Sequence, residues 1–300
     1  MNKIIVSLVI TGLLIISSVS ASAQESSTLT WVGCGISKQG FMAEMANAYR
    51  RRTGIDIVIQ GGGATKGIRQ VSSGQADLGG SCRDVINHPI MISPISEERW
   101  AKMNPVAWDA LAVIVHKDNS VTDITTQQVK DLFKGKIKNW SELGGSDQAI
   151  KLLIRRGKIS GVGRTIRELV FGNYEEEFVA SEIFPSSGPL EKAVEARTDV
   201  IAITGISSAR RRDVSVLNLD GVAPTFDRIR DGGYSLYRPL YLVTPMQLDV
   251  KPGVRDFLDF VRSEEGKAVM REVGTVPHED AIPTWLKYLQ RREEALFGND

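Results

Sequence analysis

Short apolar runs that end in glycine alternate along this chain with stretches whose apolar positions recur at helical spacing. Leu29 to Val32 leads into an amphipathic pattern from Phe41 to Arg52, Ile55 to Gln60 leads into Lys66 to Ser73, and Ala76 to Gly79 closes the series. That rhythm predicts a parallel sheet covered by helices. Ala110 to Val115 is apolar throughout, as a strand buried on both faces requires, and Thr126 to Phe133 follows as a short helix capped by Thr125 or Thr126. A glycine-punctuated loop around Trp140 precedes a strand from Ile150 to Ile154. Ser186 to Pro189 starts another helix, with Pro189 in its first turn. Val200 to Ile203, Val214 to Leu219 and Leu240 to Val243 read as further strands, and Val254 to Arg262 and Glu265 to Val273 as helices ended by Gly274.

Four of the junctions share a chemistry. Gly33-Cys34-Gly35-Ile36-Ser37, the glycine-rich loop from Gly61 to Gly67 that contains Thr65, Gly79-Gly80-Ser81-Cys82-Arg83, and Arg155 to Gly161 each follow a strand-like run and combine glycine with hydroxyl or basic residues. A strand that ends in a glycine turn at a helix start aims unpaired backbone N–H groups at one point, where the helix dipole also favours negative charge. Four such turns predict a site for a small anion.

Composition narrows the class. Lys3, the apolar stretch Ile4 to Ile16 and Ala21-Ser22-Ala23 have the order of a secretory signal, so residues 1–23 are expected to be removed. The stretch is shorter than the roughly 20 residues of a membrane-spanning helix, and no later one exceeds it, so no stable membrane insertion is expected after cleavage. Loss of Lys3 takes Lys+Arg from 37 to 36, equal to the 36 Asp+Glu, which argues against a nucleic-acid partner bound through its phosphates.

Six motifs in order identify a resemblance. They are Gly-Gly-Gly-Ala-Thr-Lys-Gly-Ile (61 to 68), Gly-Gln-Ala-Asp-Leu-Gly-Gly-Ser-Cys-Arg (74 to 83), Trp-Asp-Ala-Leu-Ala-Val-Ile-Val (108 to 115), Phe-Lys-Gly-Lys-Ile-Lys-Asn-Trp-Ser-Glu-Leu-Gly-Gly (133 to 145), Asp-Gly-Val-Ala-Pro-Thr (220 to 225) and Tyr-Arg-Pro-Leu-Tyr-Leu-Val-Thr (237 to 244). From about Trp31 to Pro277 the chain resembles the phosphate-binding proteins of bacterial ABC transporters. The resemblance implies an α/β, two-lobed periplasmic binding protein fold of type II with two hinge crossovers, near His116 and Arg238. Residues 24–115 plus 239–300 would form one lobe and 116–238 the other. It implies a periplasmic monomer, not an enzyme, that captures an oxyanion, most simply inorganic phosphate, between the lobes and delivers it to an inner-membrane ABC permease. No cofactor or metal is called for.

Arg156, Ser160 and Gly161 fall where the family's second-lobe ligands lie, and Val162 takes the place of the threonine that usually follows. Gly35, Ile36 and Ser37 stand where small hydroxyl residues are usual, and Ala64 replaces a serine beside Thr65. Ser81 belongs to the loop where some relatives carry an aspartate near Cys82-Arg83, and Asp109 is a candidate replacement. Arg83 and Asp109 either pair with each other or touch the ligand. Arg164, two residues past Val162, either enters the site or caps its helix. Cys34 and Cys82, in loops after neighbouring strands, form either a disulfide or a pair of buried thiols.

His88, His116 and His278 have no metal-ligand spacing, and the basic runs at 50–52 and 210–212 read as solvated faces. Gly33 to Lys38 lacks the third glycine of a dinucleotide fingerprint, and Ser160 lacks the glycine two residues before it that a nucleophile elbow needs. The alternatives to transport are an anion sensor or scavenger on the same fold and an enzyme acting on phosphorylated metabolites.

Overall fold

A computed structural model describes residues 28–87, 93–247 and 251–297. The expected signal segment and His88 lie outside them. The described strands are β1 (Leu29–Gly33), β2 (Ile57–Gly61), β3 (Leu78–Ser81), β4 (Ala101–His116), β5 (Asp123–Ile124), β6 (Lys151–Arg155), β7 (Glu182–Phe184), β8 (Val200–Gly205), β9 (Val214–Val216), β10 (Asn218–Leu219), β11 (Tyr237–Pro245) and β12 (Val276–Pro277). They build a curled mixed sheet in the order β2-β1-β3-β11-β4-β8-β6-β7, with β9 and β12 also on β4, and a separate β5–β10 pair.

The expected parallel pairing holds within each half. β1 lies parallel to β2 and β3, and β6 parallel to β7 and β8. Between the halves run two long antiparallel strands, β4 and β11. β4 pairs with β11 from Ala101 to Ala110 and with β8 from Leu111 onward, so one strand serves both halves and changes partner between Ala110 and Leu111. Every residue of β8, and of β4 from Val106 to Val115 without interruption, is buried, which is why these segments are nearly continuous apolar runs. β2, at an edge, alternates in exposure instead.

Local sequence accounts for several helix starts. Thr125 rather than Thr126 caps Thr126–Phe133, in a reciprocal capping box with Gln128. The helix expected from Phe41 begins earlier, at Gly35, and reaches Ala43–Thr53 through a wider turn at Lys38–Met42. Tyr49 of that helix packs edge-on against Phe257 of Val254–Arg262 with ring centroids 5.0 Å apart, a geometry that contributes about 0.5–1.5 kcal/mol beyond simple burial.

A final helix, Ile282–Phe297, has no counterpart in the sequence pattern. It folds back over the sheet, where Trp285 stacks on Tyr288 and both rings meet Trp108 edge-on. Arg292 pairs with Asp84 in one half. The helix also packs on Arg167–Phe171 in the other half, where burial raises the Glu168 carboxyl against the pull of Arg292. The helix therefore straps the two halves together.

Candidate anion-binding site

The four glycine-rich junctions converge where the halves meet. After β1, Cys34 is extended and caps the next helix, its Sγ accepting the Ser37 N–H at 3.3 Å. After β2, Gly63 takes φ +89°, a conformation unfavourable for residues with a Cβ, and turns the chain into Ala64–Ser72. After β3, the Ser81 hydroxyl donates to the Arg83 carbonyl at 2.6 Å and tightens the loop that holds Cys82. After β6, Ser160 caps Gly161–Ile166 by accepting the Gly163 N–H. These caps take the third amide of each short helix, leaving the Gly35–Ile36 and Gly161–Val162 amides in the first turns, which have no intrahelical partner.

Direct contacts close the junction. The Ile159 carbonyl accepts from Thr65 Oγ1 and Arg83 Nε, each at 2.9 Å, and Thr165 Oγ1 donates to the Cys82 carbonyl at 3.2 Å. Gly161 lies so close to the opposite loops that a Cβ there would stand 2.3 Å from Cys82 Sγ and 3.3 Å from Ala64 Cβ. Gly161→Ala is therefore expected to strain the closed form only. Overpacking costs about 1–3 kcal/mol, so anion affinity should fall by a factor of roughly 5 to 150 while the thermal midpoint of the unliganded protein changes little; titration calorimetry with calorimetric melting checks both.

Within this junction is a buried charged cluster. Asp109 on β4 stands opposite Arg238 on β11, and Arg238 Nη2 donates to Asp109 Oδ2 at 3.1 Å. Asp109 Oδ1 accepts from the Ser207 N–H and hydroxyl at 3.0 and 2.7 Å. Arg238 Nε and Nη1 are buried with no partner among the described residues. Cys34 Sγ lies 3.4 Å from Cys82 Sγ and 3.1 Å from Ser37 Oγ, and both cysteines are free thiols. Burial opposes the charged form of Cys34. Hydrogen bonds with Cys82 and Ser37 and the Arg238 charge outweigh that opposition and bring the thiol down to about 6. The same hydrogen bond, together with burial, pushes Cys82 up.

The arginine pair at the end of β6 divides. Arg155 turns inward: its Nη1 donates to Ser187 Oγ at 2.8 Å, its Nη2 to the Pro185 carbonyl at 2.9 Å, and its Nε is buried without a partner among the described residues. Burial lowers its pKa, the sign of a desolvated cation, while Cys82, Cys34 and Glu191 act electrostatically in the other direction. Arg156 is exposed and has no side-chain partner among the described residues; only its backbone N–H is engaged, to the Phe184 carbonyl.

The other expected site residues sort plainly. Arg83 and Asp109 do not pair with each other, contrary to one of the two readings above. Arg83 forms a two-pronged pair with buried Glu98 at 2.8 and 3.0 Å, whereas Asp109 pairs through one hydrogen bond with Arg238. Arg164 stacks 3.9 Å over the Tyr174 ring rather than capping its helix. Ile36 and Val162 are core side chains, 1% and 2% exposed, and can offer only backbone. The hydroxyls of Thr65, Ser81 and Ser160 are spent on Ile159, Arg83 and Gly157 carbonyls. Gly35, Ser37, Cys34, Cys82, Gly161 and Asp109 do come together. Sequence reasoning missed Arg155, Ser187 and Ser207, and took Arg238 for a crossover only.

A family model for the PBP superfamily domain matches residues 18–265. The chain belongs to this superfamily. Among curated relatives, the phosphate-binding protein PstS of Bacillus subtilis is 28% identical over 272 residues, covering 88% of this chain and 86% of the relative. The PstS of Borreliella burgdorferi is 24% identical over 261 residues, covering 84% and 90%. Among solved structures, a phosphate ABC transporter substrate-binding protein from Clostridium perfringens with bound phosphate superposes with a TM-score of 0.74 at 28% identity, over 83% of this chain and 99% of that one. An ABC-type phosphate transport receptor from Vibrio cholerae gives 0.61 at 25% identity, over 83% and 99%. The fold of this PBP superfamily member is accordingly the two-lobed periplasmic binding protein arrangement expected from its sequence.

Proposed function

We propose that this protein is an extracytoplasmic solute-binding protein that captures inorganic phosphate between its lobes and delivers it to an inner-membrane ABC permease. The observation that carries the reading is the buried interlobe cluster. Arg155 and Arg238 place N–H donors without partners among the described residues where four glycine-rich turns meet, in a chain similar along most of its length to phosphate-binding proteins. Arg155, Arg238, Ser37 and the first-turn amides of Gly35, Ile36, Gly161 and Val162 are the ligands we assign, with Arg156 outside the first contact layer. Charge-assisted hydrogen bonds contribute about 1.5–3 kcal/mol each, so four or five support micromolar affinity, near −8 kcal/mol, after the costs of association.

The lobe division we propose is 24–110 plus 239–300 against 111–238, with the first crossover drawn back along β4 from the expected boundary at 115 to the change of partner after Ala110. Release from the membrane by cleavage of residues 1–23, a periplasmic location and a monomeric state belong to this reading. Among the described residues no helix is long and apolar enough to cross a membrane. The protein binds its anion without transforming it.

Calorimetric titration of ligand-stripped protein with phosphate, with sulfate as the matched control, tests the proposal. Saturable one-to-one phosphate binding without sulfate binding is the expected result. No response to phosphate would overturn it.

A further inference from the structure

Two thiols occupy the centre of the site that we assign to an anion. Cys34 Sγ engages the Ser37 N–H and hydroxyl, which would otherwise be free to hold a ligand. Cys82 Sγ presses against Gly161 of the opposite lobe. Cys34 and Cys82 interact electrostatically with Arg155 and Arg238, the two cations assigned to the ligand. Glu191, which also acts on Arg155, is itself paired with Arg212 at 3.2 Å, so with one thiolate in the pair the two guanidinia are balanced by Asp109 and Cys34, and a further anion enters a cluster that is already neutral. Desolvated charge without a counter-ion is costly, so the reduced pair and an oxyanion compete for the same donors.

We propose that Cys34 and Cys82 are a reversible redox pair built into the anion site, and that their oxidation to a disulfide converts a weakly binding form into one that binds at least tenfold more tightly. The proposal rests on the anion-capture reading above. A disulfide carries no charge, which leaves Arg155 and Arg238 in excess over Asp109. Its sulfurs stand about 2.05 Å apart, against 3.4 Å now, so bond formation draws Cys82 Sγ toward Cys34 and opens room beside Gly161. A disulfide sulfur is also a poor acceptor, which releases Ser37.

The oxidant is a disulfide of another molecule, a protein dithiol carrier in its oxidised form or oxidised glutathione. Cys34 thiolate attacks one sulfur of that disulfide, forming a mixed disulfide and expelling the carrier's other sulfur as a thiolate. Cys82 then loses its proton to solvent, and its thiolate attacks Cys34 Sγ, expelling the second carrier thiolate. Two electrons pass to the carrier, and one disulfide replaces another. Cys34 and Cys82 are 6% and 2% exposed in the closed form, and both sit on one lobe under Gly161 and Thr165 of the other, so exchange proceeds when the lobes part. An oxidising compartment retains the bond.

The test takes purified protein equilibrated with oxidised glutathione, freed of it, and compared with the same protein kept reduced by a phosphine. Intact-mass analysis with thiol alkylation counts free cysteines, and calorimetry with phosphate reads affinity. The expected result is no alkylatable thiol and at least tenfold tighter phosphate binding in the oxidised sample. Cys34→Ala/Cys82→Ala, neutral, unable to form the bond and without a side-chain acceptor for Ser37, is expected to bind close to the oxidised level whether or not reductant is present. Two free thiols after oxidation, equal affinities, or tighter binding by the reduced form each overturn the redox coupling while phosphate capture stands. Absence of phosphate binding in both forms and in the double variant overturns capture and the coupling together.

Discussion

Asp109→Ala is expected to lower folding stability by about 3–5 kcal/mol, the usual cost of leaving one member of a buried ion pair uncompensated. Asp109 is fully buried and accepts three hydrogen bonds, two from Ser207 on the second lobe and one from Arg238. Its removal strands the Arg238 guanidinium, which already has two N–H groups without partners among the described residues. It also frees the start of the helix Ile206–Ala209, which follows β8. Because Asp109 and Arg238 face each other across the two strands that join the lobes, the loss falls on the junction itself. Chemical denaturation reads the change from the midpoint at constant slope. A second substitution separates charge from packing. Asp109→Ala/Arg238→Met should recover a large part of the loss, since removing both charges removes the penalty of the stranded one. A single variant that loses less than about 1 kcal/mol, the level of an exposed pair, would show that the pair does not hold the junction.

The second large effect is on affinity. Arg155→Ala is expected to weaken phosphate binding by about tenfold to more than a hundredfold, the equivalent of one charge-assisted hydrogen bond of roughly 1.5–3 kcal/mol. Arg156→Ala is expected to change it by no more than about threefold, as for an exposed charge that acts only through solvent. Both variants should stay folded, because Arg155 is held at the surface of the cleft by Ser187 and Pro185 rather than in the apolar core. Calorimetry on the two variants side by side decides between the last residue of β6 and the one that follows it. A larger loss for Arg156→Ala would return the ligand role to the position that the family resemblance implies.

Arg155 and Arg156 take different environments for a reason that lies outside their local sequence. β6 ends at Arg155 and Arg156 opens the turn that follows, so nothing in the dipeptide says which of the two faces the cleft. The answer depends on the register of β6 against β7 and β8, in which Arg155 stands opposite Phe184. The first part of β4 was hidden for a different reason. Lys102, Asn104 and Pro105 interrupt the apolar pattern, yet the strand continues through them because its pairing with β11 satisfies the backbone. The helix Ile282–Phe297 was not legible because Trp285 and Tyr288 find their apolar partner, Trp108, only once the chain has folded back. Arg83 and Asp109 were recognisable as charges that need partners, but those partners, Glu98 and Arg238, lie 15 and 129 residues away.

By itself the sequence determined the alternation of strands and helices, the capped helix starts and the four glycine-rich turns, since these follow from side-chain period, hydroxyl capping and backbone freedom within a few residues. It also determined that Cys34 and Cys82 would be close, because both follow strands of one parallel sheet. The tertiary structure decided which charges are buried, which arginine lies inward and that the two sulfurs meet against Gly161. Those outcomes depend on contacts between residues far apart in the chain, where desolvation and Coulombic pairing are settled only after both lobes and the final helix have come together.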